Sequence, residues 1–222
     1  MTAMRAGVVW RACGAHAGLA VLAVLAVVGT AACGRARPDD RAGDRARMLD
    51  AFEDLAAWRA TGSEGVTAAI HGVPGVRGAA MRLAFDLAGT SGYAVARRAL
   101  PLDLPPDFEL TLELRGEAPV NNLELKLIDD TGDNVWWYRR ADLAFPAAWR
   151  HVTVRRRQIT FAWGPIADHT LRHIAAIELV VSAGKGGGKG TLEIDELALR
   201  ALPPVTGPAP APTATASSEE PG

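Results

Sequence analysis

The feature that most constrains the fold of this chain is a period-two alternation of apolar and polar residues between positions 47 and 202. In the clearest segment, Phe108, Leu110, Leu112 and Leu114 alternate with polar or charged residues. The same period occurs in segments 81–87, 123–127, 152–154, 177–181 and 192–194. Successive side chains of a strand point to opposite sides of a sheet. Each segment therefore predicts a strand with one apolar and one hydrated face, as is typical of antiparallel sheets.

Turn-forming residues separate the alternating segments. They occur at 105–107, 121–122, 129–133 and 184–188, which are rich in Pro, Asn, Asp and Gly. Short strands with this punctuation predict an all-β fold, an antiparallel β-sandwich or jelly roll. The one helical candidate is a short stretch at 166–176. The length of 222 residues allows one such domain with flanking segments.

Charge, cysteine content and motifs exclude several classes of function. The formal net charge of −1 lacks the basic excess of a nucleic-acid-binding protein, so we expect no nucleic-acid partner. The two cysteines, Cys13 and Cys33, both precede the alternating region, which therefore has no cysteine metal site. The chain contains neither a Gly-x-Ser-x-Gly elbow nor a phosphate-binding loop. We therefore expect a non-catalytic protein.

Residues 1–33 have the pattern of an export signal. Arg5 and Arg11 give a basic start, and the run 17–32 is uncharged and apolar. This run is shorter than the ~20 residues of a membrane-spanning helix, so it predicts a secretory signal. It ends in Thr-Ala-Ala-Cys-Gly, which resembles the signal end of lipoproteins. The resemblance implies that Cys33 is lipidated and that the exported protein is membrane-anchored, in the periplasm or at the cell surface. Thr30 departs from the Leu preferred by that family, which leaves simple cleavage after Ala32 open.

Two segments flank the alternating region. Residues 34–46 are charged and small, so they predict a disordered tether. Residues 203–222 are rich in Pro, Ala and Thr, which predicts an extended linker. The end of this linker resembles the opening strand of a discoidin-type domain, which implies that the chain is the front part of a longer protein. The predicted domains are thus a signal (1–33), a tether (34–46), a sandwich (47–202) and a linker (203–222).

Three segments of the sandwich region resemble a known class of module. The segment 49–58 (LDAFEDLAAW) resembles a first strand, 149–154 (WRHVTV) a Trp before a strand, and 190–199 (GTLEIDELAL) a last strand of jelly-roll carbohydrate-binding modules in the galactose-binding-like superfamily. The resemblance implies a galactose-binding-like sandwich that binds polysaccharide as an accessory to its processing. Modules with these marks also serve other roles. A protein-interaction module that binds an envelope protein, or the N-terminal accessory part of a larger discoidin-domain enzyme, remains an alternative.

The same resemblance implies a structural calcium ion. Glu53, Asp54 and Asp195 occupy the positions that bind Ca²⁺ in similar modules, and Ca²⁺ prefers several oxygen ligands. The sequence adds an observation of its own. The apolar phase of the last strand is even through Ile194 and odd from Leu197, and such a change of phase predicts a β-bulge beside Asp195. The alternative is that these carboxylates lie in water at the strand ends.

A cluster of aromatic residues suggests a surface for sugars. In a strand, Trp136 and Tyr138 share one face and Trp137 lies on the other, so at least one ring is available to a ligand. Polar groups beside aromatic rings suit the recognition of hydroxyl groups. The predicted ligand-binding residues are Trp136, Trp137, Tyr138, Arg139 and Trp163. The alternative is that the aromatic rings pack the core, as we expect for Trp58 and Trp149.

Two further groups of residues are interpreted as surface features. Arg155 and Arg157 share one strand face, which is most simply hydrated. His169 and His173 are four residues apart and would share a face if 166–176 were helical. The zinc-protease pattern His-Glu-x-x-His is absent there, so we expect a surface role for both histidines.

Overall fold

The alternating segments form antiparallel strands in the computed structural model, which describes residues 46–89 and 91–203. Within these residues the chain forms twelve strands and one short 3-10 turn at Arg156–Gln158. The strands are β1 (Arg47–Asp50), β2 (Trp58–Gly62), β3 (Thr67–Pro74), β4 (Ala79–Asp86), β5 (Tyr93–Asp103), β6 (Phe108–Glu117), β7 (Asn121–Ile128), β8 (Val135–Leu143), β9 (Arg150–Arg155), β10 (Thr160–Trp163), β11 (His173–Ser182) and β12 (Lys189–Ala201). The all-β prediction is confirmed.

The strands form two six-stranded antiparallel sheets. Sheet one has the order β3-β4-β12-β6-β9, with β1 also paired to β12. Sheet two has the order β10-β8-β7-β11-β5-β2. The core lies between the two sheets, because the apolar side chains of each alternating segment point inward. Leu83, Leu114, Leu127, Ile177 and Leu192 are at most 2% exposed, and burial of each such side chain contributes about 1.5–3 kcal/mol.

A buried carboxylate ties the first strand to sheet two. Asp50 ends β1, and its Oδ2 accepts a hydrogen bond of 2.7 Å from the indole Nε1 of Trp58 in β2. The same oxygen forms an ion pair with Arg98 of β5. The Oδ1 atom accepts from the amide of Phe52, a fully buried residue with φ of 55°. The segment 49–58 is therefore two short strands joined by a bend, and Trp58 lies in the core as expected.

The last strand contains the bulge that its apolar phase predicts. The pairing of β12 with β6 shifts register between Asp195 and Ala198, and Glu196 between them has φ of 49°. On its other side, β12 pairs with β4 up to Ile194 and with β1 from Leu197 onwards. The bulge therefore lies where β12 exchanges one neighbouring strand for another, and it leaves Asp195 fully buried.

Residues 121–122 are not a turn, and this prediction was wrong. They begin β7, where Asn121 is fully buried. The side-chain amide of Asn121 donates 3.0 Å to the carbonyl of Gly187, and its Oδ1 accepts 3.0 Å from the amide of Gly184. An asparagine that satisfies the backbone of a distant loop resembles a turn residue in the sequence, because the same hydrogen-bonding groups serve both purposes.

The predicted helix at 166–176 was also wrong. Residues 164–172 are a loop, and β11 begins at His173. Side chains outside the segment take its backbone groups: Trp136 Nε1 donates 2.7 Å to the carbonyl of His169, and the amide of Ile166 donates 2.9 Å to Asn134 Oδ1. His169 and His173 therefore share no helical face.

The described residues contain no helix that is both long and apolar enough to cross a membrane.

His173 links the end of β5 to the loop between β7 and β8. Its Nδ1 lies 2.7 Å from Asp103 Oδ1, and its Nε2 lies 3.1 Å from Asp130 Oδ1. The hydrogen bond with Asp103 raises the pKa of His173, the charge of Asp130 raises it further, and desolvation opposes both effects. Protonation of His173 therefore stabilises this junction.

We predict a pH dependence that disappears in the His173→Gln variant. The pKa of His173 is higher in the folded state than in the unfolded state, where it is about 6.5. The stabilisation is therefore complete below pH 6.5 and is lost as the pH rises through the folded-state pKa. Denaturant unfolding at several pH values measures it. His71→Gln, at an exposed histidine on β3, is the control. An equal pH profile for wild type and His173→Gln would contradict the prediction.

Candidate functional site

The outer face of sheet two carries exposed aromatic rings beside charged side chains. Alternation along β8 turns Trp136 and Tyr138 into the core and Trp137 outward. Trp163, at the end of β10, and Tyr93, at the start of β5, are 46% and 47% exposed. We call this surface the aromatic face, and its members are Tyr93, Glu124, Lys126, Trp137, Arg139 and Trp163.

The rings of the aromatic face are held close to one another and to two cations. The ring centroids of Trp137 and Trp163 are 5.7 Å apart with planes at 85°. Lys126 Nζ lies 5.3 Å from the Trp163 ring and 6.0 Å from the Tyr93 ring. The guanidinium carbon of Arg139 lies 5.8 Å from the Trp137 ring. Cations at these distances are attracted to the ring faces, so the aromatic and charged groups order one another.

A buried carboxylate organises the polar part of the face. Glu124 in β7 points outward but its side chain is only 8% exposed. Its two oxygens lie 3.3 Å from Lys126 Nζ and 3.5 Å from Arg139 Nε, and they accept 2.9 Å from Ser182 Oγ. A charged acceptor with three such partners holds the side chains around it in fixed positions. The donors that border the rings are thus ordered before any ligand arrives.

The floor of the aromatic face is apolar. Val95 of β5 and Val180 of β11 are directly paired, and Val180 also pairs with Glu124 of β7. Both valines point away from the core, yet they are only 6% and 1% exposed because their neighbours on this face have longer side chains. Farther along the same two strands, Arg97 and Glu178 form an ion pair of 2.8 Å. The face is therefore an apolar strip bordered by rings and charges.

The position of Trp163 depends on the glycine that follows it. Gly164 has φ of 139°, a conformation that favours glycine, and a Cβ atom there would lie 2.3 Å from Asn134 Oδ1. Asn134 is itself fixed, because its Nδ2 donates 2.6 Å to Asp129 Oδ2. Burial acts to raise the pKa of Asp129, but hydrogen bonds from Asn134, Thr131 and Gly132 outweigh it and lower that pKa. The loop 129–134 thus holds Asn134 in place, and Asn134 in turn lies against position 164, which follows Trp163.

The structure separates the residues predicted to bind a ligand into two groups. Trp136 is 3% and Tyr138 is 7% exposed, so neither ring reaches the aromatic face. Trp136 packs edge-on against Phe161, with ring centroids 5.4 Å apart. These two rings face inward because they alternate with Trp137 on one strand. Trp137, Arg139 and Trp163 remain, and the structure brings them together.

Sequence reasoning missed the other half of the aromatic face. Tyr93 lies on β5, and Glu124 and Lys126 lie on β7. Glu124 and Lys126 look like ordinary hydrated residues until β7 is known to pair with β8, which places Lys126 directly beside Trp137. The only sequence signal was a lysine and a glutamate on the same strand face, and this pattern is common in antiparallel sheets.

The outer face of sheet one has a different character. Glu193 of β12 accepts hydrogen bonds from Arg82 at 2.7 Å and from Arg115 at 2.5 Å. The guanidinium of Arg115 in turn lies 4.5 Å from the Trp149 ring, which is partly exposed rather than in the core as expected. Arg155 pairs with Glu109 at 3.7 Å. These charged groups are satisfied within the protein.

Two of the three residues proposed for calcium, Asp195 and Glu53, bind the turn between β3 and β4. Asp195 Oδ2 accepts from the amides of Val76 at 2.8 Å and Arg77 at 3.3 Å, and its Oδ1 accepts 2.7 Å from Glu196. Glu53 accepts from the amide of Ala79 at 3.2 Å. The carboxylate of Asp54 accepts from Ala56, two residues away. Among the described residues no three acidic, His or Cys side chains form a cluster for a metal. The carboxylates thus accept hydrogen bonds from backbone N–H groups, and the calcium site stays a prediction.

The fold defines a class: a two-sheet antiparallel sandwich of the kind found in carbohydrate-binding modules. Among solved structures, the chain is similar to a family 11 carbohydrate-binding module of a cellulosomal cellulase of Clostridium thermocellum, with 19% identity and a TM-score of 0.58. The match covers 72% of this chain and 96% of that module.

Two further solved structures share the fold. The family 11 module of Clostridium thermocellum in complex with a β-1,3-1,4-mixed-linked tetrasaccharide matches 70% of this chain and 95% of its own, with 20% identity and a TM-score of 0.58. An exo-β-agarase matches 71% of this chain but only 26% of its own, with 16% identity and a TM-score of 0.51. No family model and no curated protein matches the sequence. At these identities the likeness shows the fold.

We predict that Asp195→Asn lowers the free energy of unfolding by about 2–4 kcal/mol, because an amide replaces a buried carboxylate that accepts three backbone N–H groups. Asp54→Asn, at an exposed site, is expected to cost less than about 0.5 kcal/mol. Denaturant unfolding measures both, and wild-type stability for Asp195→Asn would contradict the first expectation.

The same measurement, repeated with EDTA and with added calcium, tests the metal site. If Glu53, Asp54 and Asp195 hold Ca²⁺, then calcium stabilises the wild type and this gain is lost in both variants. If the carboxylates act only as acceptors for backbone N–H groups, then stability is the same with and without calcium.

Proposed function

We propose that this protein is a carbohydrate-binding module that holds a polysaccharide chain along the aromatic face. The observation that carries the proposal is the Trp137–Trp163 pair, in which Trp163 is exposed and Trp137 is partly exposed, beside an ordered set of charged side chains. A pyranose ring has apolar C–H faces, and an exposed indole is a large, rigid, apolar surface for them. The hydroxyl groups at the ring edge need polar partners, and Lys126 and Arg139, which Glu124 holds in place, supply donors.

The two exposed rings of the aromatic face lie close together, on either side of Lys126. Lys126 Nζ lies 5.3 Å from the Trp163 ring centroid and 6.0 Å from the Tyr93 ring centroid, so these two rings are no more than about 11 Å apart. The buried Val95 and Val180 form an apolar strip along this path. The two rings therefore flank a short segment of a bound ligand. The structural similarity to a module in complex with a mixed-linked glucan tetrasaccharide makes β-linked glucans the first ligands to test.

We also propose that the module acts outside the cytoplasm, anchored to a membrane by a lipid on Cys33. Cys33 and the whole predicted signal lie outside the described residues, as do most of the tether and the linker, so this part of the proposal depends on the sequence pattern. A module that binds polysaccharide at the cell surface or in the periplasm would serve as an accessory to polysaccharide processing.

We predict that Trp137→Ala and Trp163→Ala each weaken binding of mixed-linked β-glucan by about tenfold or more, since each removes part of the stacking surface. Affinity electrophoresis and calorimetry on a panel of polysaccharides measure the loss. Trp149→Ala is the matched control, because it removes an indole from the other sheet. Equal weakening in all three variants would show a general effect on the fold. If the wild type binds none of the polysaccharides, the proposal is wrong.

We predict that Cys33→Ser abolishes lipidation and moves the protein from the membrane fraction to the soluble exported fraction. Each buried CH₂ group of an acyl chain contributes about 0.8 kcal/mol to membrane binding, so loss of the thiol that carries the chains removes the anchor. Metabolic labelling with a radioactive or alkyne-bearing fatty acid, followed by fractionation, measures both effects. Cys13→Ser is the control. Retention of label in Cys33→Ser would contradict the prediction.

A further inference from the structure

A cavity of about 370 Å³ opens between the two sheets at one edge of the sandwich. Strand β10 pairs with β8 only as far as Trp137, so the second half of β8 forms the edge of sheet two. Strand β9 forms the facing edge of sheet one. We call the space between these edges the edge cavity. The lining residues that matter here are Leu123, Tyr138, Arg140, Leu143, Arg150 and Val152.

Two arginines of the edge cavity stand at positions that normally carry core residues. On β8, Arg140 continues the inward-facing series of Trp136 and Tyr138. On β9, Arg150 begins the inward-facing series of Val152 and Val154. An alternating strand would be expected to place an apolar residue at each position, or to end before it. Instead, an arginine from each sheet lines the same cavity, beside leucine and valine side chains.

The cations of the edge cavity lack partners that comparable arginines possess. Arg82, Arg115 and Arg155 all pair with buried glutamates on the outer face of sheet one. Within residues 46–89 and 91–203, neither Arg140 nor Arg150 forms an ion pair. The nearest polar contact of Arg140 is a long hydrogen bond of 3.4 Å to the hydroxyl of Tyr138.

The acceptors near the edge cavity do not neutralise these cations. Glu113, on the strand that pairs with β9, already holds His151, with 2.9 Å between Oε1 and Nδ1. Tyr138 accepts from Arg140, and its own hydroxyl proton meets no acceptor in the described part of the chain. The cavity therefore presents two guanidinium groups and one hydroxyl donor beside leucine and valine side chains.

We propose that the edge cavity binds a small carboxylate with an apolar body. Guanidinium groups bind carboxylates through paired, charge-assisted hydrogen bonds, and the Tyr138 hydroxyl donates a further one. The apolar body lies against Leu123, Leu143 and Val152. A volume of this size is within the range of small-molecule sites, which combine an apolar lining with a few polar groups that fix orientation.

This site is distinct from the aromatic face. Trp137 and Arg139 point outward from β8, whereas Tyr138 and Arg140 point inward, so adjacent residues of one strand serve two different surfaces. The proposal does not depend on polysaccharide binding. Trp137→Ala is expected to leave the edge cavity unchanged, which makes failure of one proposal distinguishable from failure of the other.

Calorimetric titration of the full-length protein with octanoate tests the proposal. We expect saturable binding that the double variant Arg140→Gln/Arg150→Gln weakens by about tenfold or more, since it removes the charge-assisted hydrogen bonds. Tyr138→Phe, which keeps the ring, is expected to weaken binding by a smaller factor. Arg157→Gln, at an exposed arginine outside the cavity, is the matched control and should bind as the wild type does.

Two further ligands separate the parts of the proposal. Octan-1-ol keeps the apolar body without the carboxylate, and glucuronate keeps the carboxylate on a polar body. Weaker binding of both than of octanoate supports the proposal. Octanoate binding that is absent, or that is unaffected in both Tyr138→Phe and the double variant, overturns it. If glucuronate binds as tightly as octanoate, the ligand does not need an apolar body, and the result indicates an acidic sugar instead.

Discussion

The whole molecule depends on one constraint: each strand gives one of its two faces to a core that both sheets share. Once Leu83, Leu127 and Ile177 are buried between the sheets, the other face of every strand is free of that requirement. On the outer face of sheet one, charged side chains pair with one another, as the arginines around Glu193 do. Sheet two uses its outer face for rings and partly satisfied charges. The two surfaces can therefore differ in chemical character, because the core places no requirement on either of them.

Much of the fold can be predicted from the sequence because the period of the apolar residues is a local property. Phe108 to Leu114 alternate whatever their partners are, and the change of phase between Ile194 and Leu197 marks the bulge in the same way. The errors occur where a distant side chain decides the local structure. Asn134 and Trp136 hold the backbone of 164–172 out of a helix, and the loop at 184–187 captures Asn121. Strand order, which no local pattern contains, determines these contacts.

The candidate site, like the fold, can be predicted from the sequence only where a local pattern determines it. The outward direction of Trp137 follows from the strand period alone, and so does the inward direction of its two neighbours. The assembly around it does not, because Lys126 joins the rings only through the pairing of β7 with β8. The outward charge of Glu124 is equally ordinary in the sequence, and it becomes an organising residue only when Lys126 and Arg139 are placed on either side of it.

The perpendicular arrangement of Trp137 and Trp163 has a further consequence. Two indoles whose centres are 5.7 Å apart are close enough for their electronic transitions to couple. Such coupling produces a circular dichroism band that neither chromophore has alone, and its amplitude depends steeply on the mutual angle of the rings. The Trp137–Trp163 pair is therefore an intrinsic spectroscopic probe, which reports any rotation of one indole against the other without an attached dye.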